Sequence, residues 1–183
     1  EWRDAGPFEF DVAEFEDSLN RAAEVSSVAD TEDALKRAVD LYEGDLVPGL
    51  YEDWIAPHRQ RLRQAFERAL ERLIQVLEDR RNYRAAIDYA RRLVRHDPIR
   101  EASCRRLMRL RALIGDRAGA LRTYHRCSAA LERELGVEPS PATRQIYERL
   151  LSIEESTERL RARPTRPGAA SLLVGREDTW ARL

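Results

Sequence analysis

The chain has 183 residues, 43% hydrophobic and 36% charged, with a formal net charge of −1. That length suits one domain, or one domain with tails, and the hydrophobic share is enough for a core. No apolar run approaches a membrane span, the N-terminus lacks a basic-then-apolar leader, and two cysteines make no disulfide framework. The expectation is a cytoplasmic protein without membrane partners. Val, Ile, Phe and Tyr are sparse beside Leu, Ala, Arg and Glu, which favours helices over sheet and gives an all-α chain.

Helical periodicity begins with Val12, Phe15, Leu19 and Ala22, with acids on the opposite face. Ser26 and Ser27 break it. Thr31, followed by Glu32 and Asp33, is expected to cap a second helix whose apolar face is Ala34, Leu35, Ala38, Leu41 and Tyr42. Gly44 is expected to end that helix in a left-handed conformation, and Pro48-Gly49 fits the centre of a type II turn. A third helix restarts at Asp53 or Ala56 and runs to about Arg80 through Leu62, Phe66, Leu70, Leu73 and Leu77. Residues 41–54, LYEGDLVPGLYEDW, are therefore a connector between antiparallel helices, with Tyr42, Tyr51 and Trp54 plugging its open end. Its acids Glu43, Asp45, Glu52 and Asp53 lack the spacing of a calcium loop.

Beyond the third helix the sequence repeats. The segment from Ala69 and the segment from Ser103 align at an offset of 34 residues, which pairs Leu73 with Leu107, Asn82 with Asp116, Ala86 with Ala120, and Ile87 with Leu121. Thirty-four residues is the tetratricopeptide period. Small residues at Ala86 and Ala120 let paired helices approach closely, Gly115 serves a turn, and Asp97-Pro98 closes the first repeat. The fold expected is a tetratricopeptide-like right-handed solenoid of antiparallel helix hairpins, each burying a face supplied by its neighbour.

Charge is unevenly spread. Residues 1–60 carry 16 Asp/Glu against 5 Lys/Arg, and residues 61–126 carry 18 Arg against 8 acids. Either the two parts attract each other or the basic part meets an acidic partner. The plainer expectation is that helix faces in such a chain are simply charged and solvated.

Four stretches together resemble the bacterial transcriptional activator domain, the tetratricopeptide-like module of antibiotic-regulatory-protein-type activators. They are DVAEFE (11–16), ALKRAVDLYEGDLVPGLYEDWI (34–55), YRAAIDYARRLVRHDPIREA (83–102) and GDRAGALRTYHRCSAALERELGVEPSPATRQIYERLL (115–151). The resemblance spans residues 8–151, and ELGVEPSPATRQIYERLL is its most specific part. There Gly136 ends one helix, while Ser140 caps the next with Pro141 at its first position. In that family the module follows an N-terminal winged-helix DNA-binding domain, which this sequence starts too late to contain. Residues 172–183, LLVGREDTWARL, resemble the opening of a STAND- or AAA-type ATPase domain, without the phosphate-binding loop. The implied organisation is a residual linker at 1–10, the activator domain at 11–160, a Pro/Gly linker at 161–171, and the start of a truncated ATPase-like domain at 172–183.

Nothing in the sequence points to an enzyme, a metal or a cofactor. His58, His96 and His125 lie on separate elements, and no nucleophile elbow is present. Cys104 and Cys127 are symmetric about the Gly115-Asp116 turn, so a hairpin would oppose them, most plainly as buried thiols. The site expected is the concave groove lined by the first helix of each hairpin, where counting places Arg68, Glu71, Gln75, Arg105 and Arg109. Of these, Arg68, Gln75, Arg105 and Arg109 are the candidate partner-binding residues, the arginines suited to a carboxylate or phosphate. Their plainer role is pairing with the chain's own acids. The function expected is protein interaction: self-association, contact with adjacent domains of one regulator and with the transcription machinery, and DNA only through the missing domain. Two alternatives are a nucleic-acid-binding helical repeat using residues 61–126, and a small-ligand sensor.

Overall fold

The structure, a computed structural model, describes residues 8–44 and 54–161, with the side chains of 12–44 and 54–152. Outside it fall residues 1–7 of the expected linker 1–10, residues 162–171 of the expected linker 161–171, the turn at Pro48-Gly49, Tyr51, the acids Asp45, Glu52 and Asp53, and the segment 172–183. The described residues form helices α1 (Phe8–Glu24), α2 (Val28–Leu41), α3 (Ala56–Asp79), α4 (Tyr83–His96), α5 (Glu101–Leu113), α6 (Arg117–Leu135) and α7 (Pro141–Arg161), and no strand. Each packs on its sequence neighbours as hairpins α1–α2, α3–α4 and α5–α6, and α7 lies against both α5 and α6.

The 34-residue repeat is built around two equivalent turns. Asn82 and Asp116 each cap a helix, accepting from Ala85 N at 3.4 Å and Gly119 N at 2.9 Å. Their own amides bond back to Leu77 O and Arg111 O, both at 2.8 Å. The residue before each cap is left-handed: Gly115 has φ +80°, and its counterpart Arg81 has φ +57°. Only the first is free of the Cβ clash that this conformation imposes. Gly115→Ala is therefore expected to lower stability by about 1 kcal/mol, and Arg81→Gly to raise it by a few tenths to about 1 kcal/mol. Urea unfolding of the two variants checks this, and shifts of the same sign would refute it.

Ala86 and Ala120 are completely buried, where they bring α4 and α6 close to the helices before them. One core runs from α1 to α5 through Phe15, Leu35, Leu70, Leu73, Ile74, Leu77, Leu93 and Leu107. A smaller cluster of Met108, Ala120 and Leu150, flanked by stacked Tyr124 and Tyr147 at 4.1 Å, docks α7.

Three local expectations are corrected. Helix α2 begins a turn before Thr31: Ser27 is its cap, and the Thr31 hydroxyl donates back to Ser27 O at 2.9 Å. Starting there buries Thr31 and Glu32, and Glu32 meets two cations. Gly44 is not the left-handed stop, since only Gly115 and Gly136 have positive φ among the described glycines. The helix ends instead when Tyr42 turns extended and stacks on Phe66, centroids 4.2 Å apart. Among the described aromatics Tyr42 is the plug of this hairpin; Trp54 is 63% exposed, with its ring edge-on to His58.

The ELGVEPSPAT segment has a clear physical purpose. Gly136, at φ +65°, stops α6 with its amide on Glu132 O at 3.0 Å. Ser140 then starts α7 while its amide and hydroxyl both donate to Glu101 Oε2, at 2.9 and 2.7 Å. The entrance of α7 is in this way tied to the first turn of α5.

Candidate protein-interaction groove

The acidic N-terminal third and the basic middle meet each other. Arg61 pairs with Glu16 at 2.7 Å, Arg80 with Glu32, and Arg92 with Asp40 at 2.9 Å while also donating to Val39 O at 2.8 Å. These contacts join α1 and α2 to α3 and α4 and satisfy part of the charge asymmetry inside the molecule.

The first helices α3 and α5 of consecutive hairpins stand apart, leaving a groove of about 690 Å³ between them. Its apolar part includes Tyr83, Leu110 and Leu113, the last 63% exposed. Its polar rim includes Gln75, Arg105, Arg106 and Arg109. Arginines span its width: Arg106 grips the Glu78 carboxylate with two nitrogens at 3.0 and 2.7 Å, and also bonds Gln75 Oε1 at 2.9 Å and Glu71 O at 3.3 Å. Arg100 reaches from the start of α5 to Glu67 at 3.1 Å and Glu71 at 2.7 Å.

The groove brings together Gln75, Arg105 and Arg109; Arg68, two turns earlier on α3, is exposed but outside the lining. Arg105 is half-buried and donates to Thr143 Oγ1 at 3.0 Å, so it fastens α7 as well as facing the groove. Arg109 is exposed. Arg106 was not singled out by residue counting, although it makes the most extensive contacts across the groove. A signal existed in the sequence: Arg106 lies 34 residues after Arg72 and 28 after Glu78, within reach of a facing repeat.

Electrostatically this end of the solenoid is ordered around Glu101. Burial pushes its carboxyl up, but the Thr143 hydroxyl nearby, the two hydrogen bonds from Ser140 and the Arg105 charge outweigh that and hold it below the usual range. Elsewhere the chemistry-bearing residues are dispersed. His96 lies 3.5 Å from Glu67 with its ring edge on Phe66, His58 sits beside Trp54, and His125 sits beside Tyr124 and Tyr147. Cys104 and Cys127 do face each other as free, buried thiols packed with Leu131. The Cys127 sulfur beside it, together with burial, pushes the Cys104 thiol up, away from the reactive thiolate, and Cys104 Sγ donates to Pro98 O at 3.9 Å. Among the described residues no group of three or more His, Cys, Asp or Glu is placed to hold a metal, and no helix is long and apolar enough to cross a membrane.

Residues 10–151 match the family described as the bacterial transcriptional activator domain. Regulatory protein AfsR of Streptomyces coelicolor is 27% identical over 165 residues, which is 88% of this chain and 17% of AfsR. EmbR of Mycobacterium tuberculosis, solved in complex with a low-affinity phosphopeptide, superposes with a TM-score of 0.57 at 22% identity, covering 82% of this chain and 41% of that one. The C-terminal TPR-containing domain of a Plasmodium falciparum FK506-binding protein superposes with a TM-score of 0.54 at 14% identity, covering 84% and 97%. The chain thus spans a minor part of AfsR and less than half of the EmbR chain. At these identities the two structures establish the fold, a tetratricopeptide-like helical solenoid.

Proposed function

Since the chain belongs to the bacterial transcriptional activator domain family, we propose that it is the protein-interaction module of a longer bacterial transcriptional regulator. It works by self-association and by contact with the other domains of that regulator, including a winged-helix DNA-binding domain. The observation that supports this most directly is the α3/α5 groove, where exposed Leu113 and Arg109 adjoin a fixed arginine bridge. A rigid rim beside an accessible apolar strip suits a segment of another protein, with Leu113 as the apolar anchor and Arg109 selecting an acidic residue beside it. Occupancy would favour one packing of α5 and α7 over another, because Arg105 joins the groove to Thr143 on α7, and a neighbouring domain would read that shift. The proposal assigns the chain no reaction and no cofactor.

Cross-linking mass spectrometry of the full-length regulator, alongside sedimentation velocity of this chain, tests the reading. Groove residues are expected to cross-link to a second copy or to another domain, and Leu113→Asp with Arg109→Glu should abolish those cross-links while leaving the helical content intact. Cross-links that avoid the groove, or that survive the double substitution, would sink it.

A further inference from the structure

Several of the 18 arginines of residues 61–126 are held within the fold, while others, among them Arg68, Arg72, Arg81 and Arg109, are exposed outside α4 and α6. Arg61, Arg80, Arg92, Arg100 and Arg106 are held by carboxylates of neighbouring helices, and Arg105 and Arg111 by a hydroxyl and a carbonyl. A second set is different. Arg84, Arg91 and Arg95 on α4, and Arg122 and Arg126 on α6, are all exposed. Positions 84, 91 and 95 fall on one helical stripe, as do 122 and 126, so each helix presents its arginines along a line. The two helices are the second members of consecutive hairpins, and both pack against α5.

Three of them, Arg91, Arg122 and Arg126, act on Arg111 of α5, whose side chain is 15% exposed and donates to Gly119 O on α6 at 2.7 Å. Burial holds this guanidinium below its ordinary value; Asp116 opposes the shift, while Arg91, Arg122 and Arg126 add to it. Arginines from two helices therefore bear on one spot with a fourth cation beneath them. The counter-charges beside these arginines are Asp88, 3.7 Å from Arg91 with both side chains exposed, and Asp116, 3.9 Å from Arg111 and occupied in capping α6; Glu132 and Glu134 lie further along, at the end of α6, with Glu134 paired to Arg133. Such an exposed pair is worth little.

What the face lacks identifies its occupant. The exposed positions of α4 and α6 hold no aromatic residue other than His125, and no large aliphatic one other than Leu135 at the far end of α6. Protein interfaces draw most of their affinity from buried aromatic and aliphatic anchors, which are missing here. Exposed guanidiniums without anchors suit a regular array of phosphates, each able to accept two parallel N–H bonds. The α4 stripe from Arg84 to Arg95 covers about 16 Å of helix, close to five base steps at about 3.4 Å each.

We propose that the α4/α6 face is a DNA-backbone contact surface, which holds duplex phosphates without reading sequence. This goes beyond the protein-interaction reading and does not depend on it, because the groove lies between α3 and α5. In a regulator it would add affinity, and sequence would be read elsewhere.

The test is fluorescence anisotropy of a labelled duplex of arbitrary sequence titrated with this chain, from low to high salt. Binding is expected at low salt and should weaken with a log–log slope of about −3 to −4, equivalent to about four phosphates neutralised. Arg122→Glu with Arg126→Glu should weaken binding at least tenfold and flatten the slope by about 2. Arg91→Gln with Arg95→Gln provides a milder second probe and should also flatten it. Arg21→Glu with Arg72→Glu, the same charge change on α1 and α3, should leave the slope as it was. No binding at low salt would overturn the proposal, as would equal losses from the α4/α6 and α1/α3 variants. So would binding of labelled polyglutamate combined with no duplex binding, since that result would make an acidic protein the occupant.

Discussion

Leu73→Ala is expected to lower the unfolding free energy by about 3–4 kcal/mol, and Leu107→Ala by about 2–3 kcal/mol. The two leucines occupy equivalent positions 34 residues apart, Leu73 completely buried and Leu107 3% exposed, and both belong to the core that runs from α1 to α5. Each truncation removes several methyl and methylene groups from water-free contact and leaves a void that close-packed neighbours fill only in part. Leu73 should cost more because it lies deeper in that core, among Leu70, Ile74 and Leu77, none of which is exposed at all. The measurement is urea unfolding followed by circular dichroism. In a solenoid each hairpin is stabilised by its neighbours, so the shape of the transition also carries information. If the chain unfolds as one unit, both variants move the midpoint and leave the m-value unchanged. A reduced m-value for Leu107→Ala would mean that α5, α6 and α7 come apart before the rest. A loss below about 1 kcal/mol for Leu73→Ala would contradict the packing described.

The repeat was legible from sequence because its determinants are local and recur. Asn82 and Asp116 cap, Arg81 and Gly115 take the left-handed position, and Ala86 and Ala120 permit close approach, all at one offset. The family resemblance could be read for the same reason, since Gly136, Ser140 and Pro141 are turn and cap residues with fixed roles. What failed was a choice between local options settled at long range. Ser27 and Thr31 are both able to cap a helix; the earlier start wins, and it puts Glu32 against Arg80, 48 residues away. Gly44 was an acceptable stop, but Tyr42 leaves the helix first to stack on Phe66. The groove shows the same limit. Periodicity could bring Gln75, Arg105 and Arg109 to one surface, but it could not reveal that Arg105 is tied to Thr143, or that Arg106 bridges to Glu78. Partner choice among 18 arginines between residues 61 and 126 is a property of the assembled helices rather than of any single one.

Glu32 offers the sharpest test of how those charges are arranged. It is 6% exposed on α2 and receives Lys36 at 2.6 Å and Arg80 from the end of α3. The Lys36 hydrogen bond lowers its pKa, burial opposes this, and Arg80 tips the balance, so the folded carboxyl titrates below its ordinary value. A depressed folded pKa gives stability that is present above the unfolded carboxyl value and is lost as pH falls through the folded one. Wild-type stability should therefore decline on acidification below the usual carboxylate range, and Glu32→Gln should make that decline shallower. The cations differ from the carboxylate in exposure: the side chains of Lys36 and Arg80 are 37% and 51% exposed, so each can return to water if Glu32 is removed. Glu32→Met is accordingly expected to cost about 1 kcal/mol or less at neutral pH. Lys36→Met with Arg80→Met leaves the buried carboxylate without a counter-charge and is expected to cost about 3 kcal/mol. In that double variant burial acts unopposed and raises the folded pKa of Glu32, which reverses the sign of the linkage. Its stability should then rise as pH falls through the raised value, where the wild type is still unaffected. Urea unfolding of the three variants from neutral to acid pH measures both the order of the costs and the two signs. If Glu32→Met cost more than the double variant, the carboxylate would not be the group that burial disfavours, and the account of why α2 begins at Val28 would fail with it.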